Sequence, residues 1–330
     1  MASELTHGRT GQRTPLTRRP WWPALKRTAS ALFFALVLWL IVRHARTVQW
    51  GEVWQSITDY PATTLALAAL LAAASHALYA SFDLVSRRYA GHQLPTARVL
   101  ATTFVSYAFN LNFGALVGGL AFRIRLYTRQ GLDAATISRV YGLSMVTNWL
   151  GYFVLAGAVC LLQPIPVPEA WSLGSDALRA LGLALLAVPL VYLGLCSFSR
   201  RRSVTVRGHA LRLPSGRMAA LQLALSTLNW ALIGATVYVL LQPQVEYPAA
   251  LAALLAAAVA GVVTHVPAGL GVLEAVFLAL LSASIAQSPL LAALLVYRAL
   301  YYLLPLALAA LVFLGLELRL KPSASRRARA

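Results

Sequence analysis

The tract Ala260-Gly-Val-Val-Thr-His-Val-Pro-Ala-Gly-Leu-Gly-Val-Leu-Glu274 breaks a long apolar segment that holds no Lys, Arg or Asp between Pro248 and Tyr297. Pro267 has no backbone N–H to donate, and Gly269 and Gly271 lower helix propensity further. One helix is therefore expected to end near Val266 and another to begin near Gly271. Inside a membrane, irregular backbone persists only where protein buries it or where it lines a wet cavity. His265 and Glu274 stand beside this break, and ionisable groups at such depth mark functional sites. Glu274 has a second reading, as an acidic residue in the first turn of the new helix, where the helix dipole favours it.

Downstream, Val296-Tyr-Arg-Ala-Leu-Tyr-Tyr-Leu-Leu-Pro305 puts Arg298, Tyr301, Tyr302 and Pro305 on one helical face. Arg298 lies about ten residues inside a membrane-length span, where an unpaired charge costs several kcal/mol. It therefore needs an anion. Glu274 is the nearest deep carboxylate in sequence; a lipid phosphate, which guanidinium recognises well, is the other candidate. Free N–H groups of helices beginning near Gly271 and Gly114 attract anions as well.

The surrounding chain has the composition of a membrane protein. Of its 330 residues, 59% are hydrophobic and 12% charged, and the mean hydropathy is +0.68. Several apolar runs reach the roughly 20 residues that cross a bilayer as a helix, without the alternation of a membrane barrel. The expected fold is an all-α polytopic membrane protein with about six full spans and two broken helical hairpins. Full spans are expected near 24–43, 62–83, 139–162, 178–198, 218–241 and 289–316, within one transmembrane domain over 28–316. His76, Tyr79 and Asp83 share one face of the second span. Asn148 and Asn229 are polar residues inside later spans. The first broken tract, 97–128, contains Asn110-Leu-Asn-Phe-Gly-Ala-Leu-Val-Gly-Gly119 and then Arg123. Residues 48–60 carry Trp50 and Trp54 on a short amphipathic pattern suited to the membrane interface. Ser199–Arg217 reads as a loop with a small β-hairpin, and the basic ends, 1–27 and 317–330, read as disordered.

Net charge is +18, from 28 Lys and Arg against 10 Asp and Glu. The basic residues sit in loops beside apolar spans, which points to membrane orientation rather than nucleic-acid binding. With the N-terminus inside and each broken tract returning to its own face, 24 of the 28 fall in cytoplasmic segments. Both termini and 199–217 are then cytoplasmic, and 163–177 lies outside. The two broken tracts enter from opposite faces, as in an inverted repeat that holds substrate near the membrane midplane. The basic face would also gather anionic lipids.

Hydrolase and transferase chemistry finds little footing. No GxSxG, HExxH or Walker sequence is present, and Cys160 and Cys196 form no metal or redox pattern with histidine. No cofactor and no metal is expected. His265 with Glu274 has the residue types of an acid–base pair but no nucleophile nearby in sequence, and His265 is better read as a buried polar partner between helices.

Asn110…Val117-Gly-Gly…Arg123-Ile-Arg-Leu-Tyr127, Thr147-Asn-Trp-Leu-Gly-Tyr152, His265-Val-Pro-Ala-Gly-Leu-Gly-Val-Leu-Glu274 and Tyr297-Arg-Ala-Leu-Tyr-Tyr302 together resemble the transmembrane region of lysylphosphatidylglycerol synthases. Within that family the chain is most similar to YbhN-type inner-membrane proteins of Gram-negative bacteria. The likeness spans nearly all of 25–318. Its most specific element is Pro-(Ala/Gly)-Gly-(Leu/Ile)-Gly-x-x-Glu, in which Ala268 replaces the more frequent second glycine. In two-domain members this region translocates a lipid made by a cytoplasmic aminoacyl-transfer domain. No such domain is expected here, so the resemblance implies lipid handling in a bacterial inner membrane rather than lysyl transfer.

Two functional classes remain. One is a phospholipid translocase with a midplane site built from Glu274, Arg298, His265, Pro267, Gly269, Gly271, Asn110, Gly118, Gly119, Arg123, Asn148, Asn229, Tyr301 and Tyr302, favouring anionic lipids. The other is a membrane-embedded lipid-modifying enzyme, or a scaffold for lipid-synthesis enzymes. The orientation is testable first: single cysteines at Ser172 and Ser203 should be labelled from the outer and inner faces respectively. Labelling of Ser203→Cys from outside would refute this topology.

Overall fold

The computed structural model describes residues 49–165, 174–199, 203–206, 209–242 and 244–319. The expected first span at 24–43, the basic N-terminus, the middle of the 163–177 loop and the end of the tail lie outside these residues. Helix α1 (Trp50–Thr58) is the short amphipathic element read from the sequence: Val53 is buried while Trp50 and Trp54 are exposed. It packs on α11 (Gln287–Arg298), where Ser288 Oγ donates to Glu52 Oε2 at 2.8 Å.

Six helical segments among the described residues are long and apolar enough to cross a membrane: 62–90, 134–162, 175–198, 216–240, 247–264 and 287–318. The first comprises α2 (Ala62–Ala80) and α3 (Phe82–Ala90), and the next three are α6 (Ala134–Leu162), α7 (Ser175–Phe198) and α8 (Gly216–Leu240). Asp133 caps α6. Its carboxylate accepts the Thr136 N–H at 2.7 Å, which holds the carboxyl below its ordinary range. Strands β1 (Ser203–Val206) and β2 (His209–Arg212) form the antiparallel hairpin expected between α7 and α8.

Both broken tracts are hairpins. In the first, α4 (Thr96–Phe113) stops at Gly114, and a π-helical turn (Ala115–Leu120) leads into α5 (Ala121–Arg129). The returning limb lies on α4: Phe109 stacks on Phe122 with ring centres 4.0 Å apart, and Gln130 Nε2 donates to Thr102 Oγ1 at 2.9 Å. Gly118 allows this approach, because a Cβ there would stand 2.0 Å from the Phe109 carbonyl oxygen. In the second, α9 (Tyr247–Thr264) is followed by a tight turn at Pro267–Gly269 and by α10 (Val272–Leu281), which packs back on α9. The helix ends thus fall within two residues of the positions the proline and glycines predict. Unlike the first limb of the other hairpin, α9 is itself long and apolar enough to span.

The last span is not the continuous helix its pattern suggests. A π-helical turn (Ala299–Leu303) separates α11 from α12 (Leu304–Arg319). The Leu304 N–H reaches back to Ala299 O, and Pro305 has no N–H for the Tyr301 carbonyl. α12 runs past the expected boundary at 316. Glu317, in its last turn, accepts from Arg125 Nε at 2.7 Å and also pairs with Arg129 of α5.

Arg123 requires a correction. It counts among the 24 basic residues assigned to cytoplasmic segments, yet its side chain is 1% exposed. It binds Asp83 of α3 through two contacts of 3.1 Å, Nε to Oδ2 and Nη2 to Oδ1. Tyr127 OH also donates to Asp83 Oδ2 at 2.8 Å, and the guanidinium lies 5.2 Å from the Tyr141 ring centre. A charge this deep is stable only when paired and hydrogen-bonded. Asp83→Asn should lower stability by about 3–5 kcal/mol, read as a fall in thermal unfolding midpoint in detergent, and Asp83→Leu with Arg123→Met should recover much of it. A single variant as stable as wild type would show the pair to be dispensable.

Candidate functional site

Between the two hairpin tips lies a cavity of about 640 Å3. Gly114 and Ala115 reach it from the first tip, and His265, Val266, Ala268 and Gly269 from the second. The tips also touch, through α4 and the Pro267–Gly269 turn. The remaining wall is strongly aromatic: Tyr79, Tyr107, Trp149, Trp230, Tyr297, Tyr301 and Tyr302 all contribute. No Lys, Arg, Asp or Glu lines it among the described residues; its polar groups are tyrosine hydroxyls, the indole N–H groups of Trp149 and Trp230, the Asn110 and Asn148 amides, His265 and the broken backbone.

The second tip is held by Arg298. Its Nε and Nη2 meet Glu274 Oε1 and Oε2 at 2.5 and 3.0 Å. Its Nη1 donates to Ala268 O, and its Nη2 also donates to Gly269 O, both at 2.9 Å. One guanidinium therefore satisfies a carboxylate and two carbonyls that the helix break leaves without helical partners. His265, Ala268, Gly269 and Gly271 all take positive φ here, from 55° to 77°. Glu274 also sits in the first turn of α10, as its second sequence reading has it. Tyr302 covers the guanidinium, 5.6 Å from its ring centre.

The π turn sets the opposite wall. Tyr302 O accepts from Asn112 Nδ2 at 3.3 Å, which ties the last span to the first hairpin. Tyr301 turns inward, its OH 2.8 Å from Ser75 Oγ and 3.0 Å from Tyr107 OH. The Tyr79 and Tyr107 rings stack beside it with centres 3.6 Å apart. π-helical turns recur at functional sites because the extra residue re-aims side chains.

The sequence-predicted residues divide accordingly. Glu274 and Arg298 meet as expected, while Asn110, Asn148, His265, Gly269, Tyr301 and Tyr302 line the cavity. Pro267 and Gly271 shape the second tip in backbone alone, Pro267 opening the tight turn and Gly271 capping α10. His265 is exposed at the end of α9, its Nδ1 3.0 Å from Val263 O; it is not a buried partner between helices and does not bond Glu274. Gly118 and Gly119 pack against Phe109 and Asn110 instead of facing the cavity. Arg123 belongs to the Asp83 pair. Asn229 is fully buried behind the wall and accepts from Ser75 Oγ at 2.9 Å. Ser75, Tyr107, Asn112 and Asp83 were not singled out as site residues; only the shared face of His76, Tyr79 and Asp83 hinted at that wall.

Glu274→Gln should leave the Arg298 charge without its anion and lower stability by about 3 kcal/mol. Arg298→Lys should do no better, because an ammonium cannot span a carboxylate and two carbonyls at once. Thermal unfolding in detergent reads both; wild-type midpoints would mean that the clamp does not hold the break.

The family model of the lysylphosphatidylglycerol synthase TM region matches residues 28–309. The inner membrane protein YbhN of Escherichia coli (strain K12) is 43% identical over 303 residues, which cover 92% of this chain and 95% of that protein. An uncharacterized protein of Synechocystis sp., slr0712, is 29% identical over 304 residues, covering 90% of this chain and 94% of its own length. The matched region contains both hairpins, the Glu274–Arg298 clamp and the whole cavity wall, and the chain belongs to the lysylphosphatidylglycerol synthase TM region family.

Proposed function

We propose that the protein moves a phospholipid or lipid-linked molecule across the bacterial inner membrane, or presents it within that membrane, by admitting its headgroup to the cavity between the hairpin tips. The observation that carries this reading is the cavity itself. Its volume, about 640 Å3, falls in the range of ligand sites, and it opens where two discontinuous helices meet, as substrate sites of transporters do. Phe113, Val262, Val263 and Leu270 are exposed apolar side chains around the two tips, suited to acyl chains that stay outside while the headgroup enters. The family name ties such regions to synthases of a phospholipid, and the relative in Escherichia coli is an inner membrane protein. Two hairpins entering from opposite faces, with both termini cytoplasmic, would let the site open to either side in turn.

The preference for anionic lipids rests on the basic loops, which would concentrate such lipids at the cytoplasmic surface. It does not rest on the cavity wall, since Arg298 is already engaged by Glu274 and two carbonyls. A phosphate reaching Arg298 would have to displace Glu274.

Vesicles containing the protein and fluorescent phosphatidylglycerol or cardiolipin, challenged with an external quencher, give the test. Quenching should go beyond the outer leaflet that empty vesicles lose. Gly261 lines the cavity, and a Cβ built there meets nothing within 4 Å, so Gly261→Trp should fill the cavity without a backbone clash and return quenching to the level of empty vesicles. If several anionic phospholipids and lipid-linked intermediates stay sealed with wild-type protein, with or without an ion gradient, translocation is wrong and a scaffold for lipid-modifying enzymes replaces it.

A further inference from the structure

Behind the cavity wall runs a chain of hydroxyl groups whose proton order is fixed. Ser75 Oγ donates to Asn229 Oδ1 at 2.9 Å, an oxygen that can only accept. That commits the single Ser75 proton, so the 2.8 Å contact between Ser75 Oγ and Tyr301 OH must be a donation from Tyr301. The Tyr301 proton is then committed too, and Tyr107 must donate to Tyr301 across 3.0 Å. All three protons point towards Asn229. Tyr107, which lines the cavity, is left as an acceptor alone. Hydrogen bonds linked in series polarise one another, which strengthens that acceptor. The hydroxyls of Tyr79 and Tyr302 and the amides of Asn110 and Asn148 can turn either a donor or an acceptor to a ligand; Tyr107 cannot. Asn229 directs this order without lining the cavity, and its Nδ2 is buried with no partner.

We propose that this chain makes the cavity selective for headgroups that donate a hydrogen bond, through a hydroxyl or a primary ammonium, with Tyr107 meeting the headgroup and Asn229 acting as the positioning residue. The proposal rests on lipid occupancy of the cavity as proposed above. A headgroup without a donor leaves the Tyr107 oxygen buried and unsatisfied, a difference of about tenfold in affinity. Aromatic faces around it suit either donor, since they receive polyol C–H groups and attract ammonium.

Two lipid pairs separate the sources of the donor. Phosphatidylethanolamine and phosphatidylcholine differ in ammonium protons; phosphatidylglycerol and phosphatidylmethanol share a charge and differ in headgroup hydroxyls. Native mass spectrometry of the full chain in detergent, titrated with each lipid, gives relative affinities. The donor-bearing member of at least one pair should bind about tenfold more tightly, and that pair names the donor. Tyr107→Phe should bring the ratio close to one, and so should Asn229→Leu, although Asn229 touches no ligand. Asn229→Asp keeps an acceptor for Ser75 and should preserve the ratio, which a merely structural role for Asn229 would not predict. Equal binding within both pairs by wild-type protein, or a ratio that survives Tyr107→Phe, would overturn the proposal while leaving lipid binding intact. Failure of every lipid to bind would sink the lipid reading itself, and this inference with it.

Discussion

A helix that breaks inside a membrane exposes carbonyls that its own turns cannot satisfy. At the second hairpin that deficit falls on Ala268 and Gly269, and Arg298 makes it good from the neighbouring helix. Glu274 then balances the charge, five and three residues beyond Gly269 and Gly271, the glycines that made the break necessary. The irregular backbone, the buried cation and the buried carboxylate are thus three parts of one arrangement. None of them is stable at this depth without the other two. The cavity depends on it, because the clamped residues are part of the cavity wall.

The Asp83–Arg123 pair obeys the same physics with a different outcome. Its side chains are 0% and 1% exposed, and it fastens α3 to the returning limb of the first hairpin. The Glu274–Arg298 pair is more exposed, at 17% and 10%, and sits directly behind a ligand-sized space. The first pair lines no part of the cavity. The second is placed where a rearrangement would be felt by whatever occupies the cavity.

The neutrality of the wall changes how recognition is to be understood. With its one nearby guanidinium already engaged, the cavity offers aromatic faces, amides and hydroxyls, so the selectivity proposed for it would come from hydrogen-bond direction rather than charge. In the proposed function the basic loops and the neutral cavity would act at separate stages: the loops would gather lipid at the surface, and the cavity would discriminate among headgroups.

How much of this could be read from the chain differs between the backbone and the side chains. Pro267, Gly269 and Gly271 announce the second break by themselves, because their effect on helix geometry is local, and the helix ends fall where they say. The Glu274–Arg298 pair was equally legible, since two charges in otherwise uncharged tracts have few partners to choose from. Arg123 was not. Its neighbours Arg125 and Arg129 sit at solvent-facing or rim positions, and only the hairpin that folds α5 onto α4, beside α3, reveals that Arg123 turns inward to Asp83. The π turn at Ala299–Leu303 was equally hidden, because Pro305 predicts a missing hydrogen bond but not where the extra residue is inserted. Sequence by itself determined the apolar spans, the two breaks and the need to compensate buried charge, all of which follow from composition and local backbone chemistry. Only the tertiary structure decided which polar groups share a wall. Ser75, Tyr107, Asn229 and Tyr301 lie far apart in the chain, and their hydrogen bonds exist because packing brings four separate elements together.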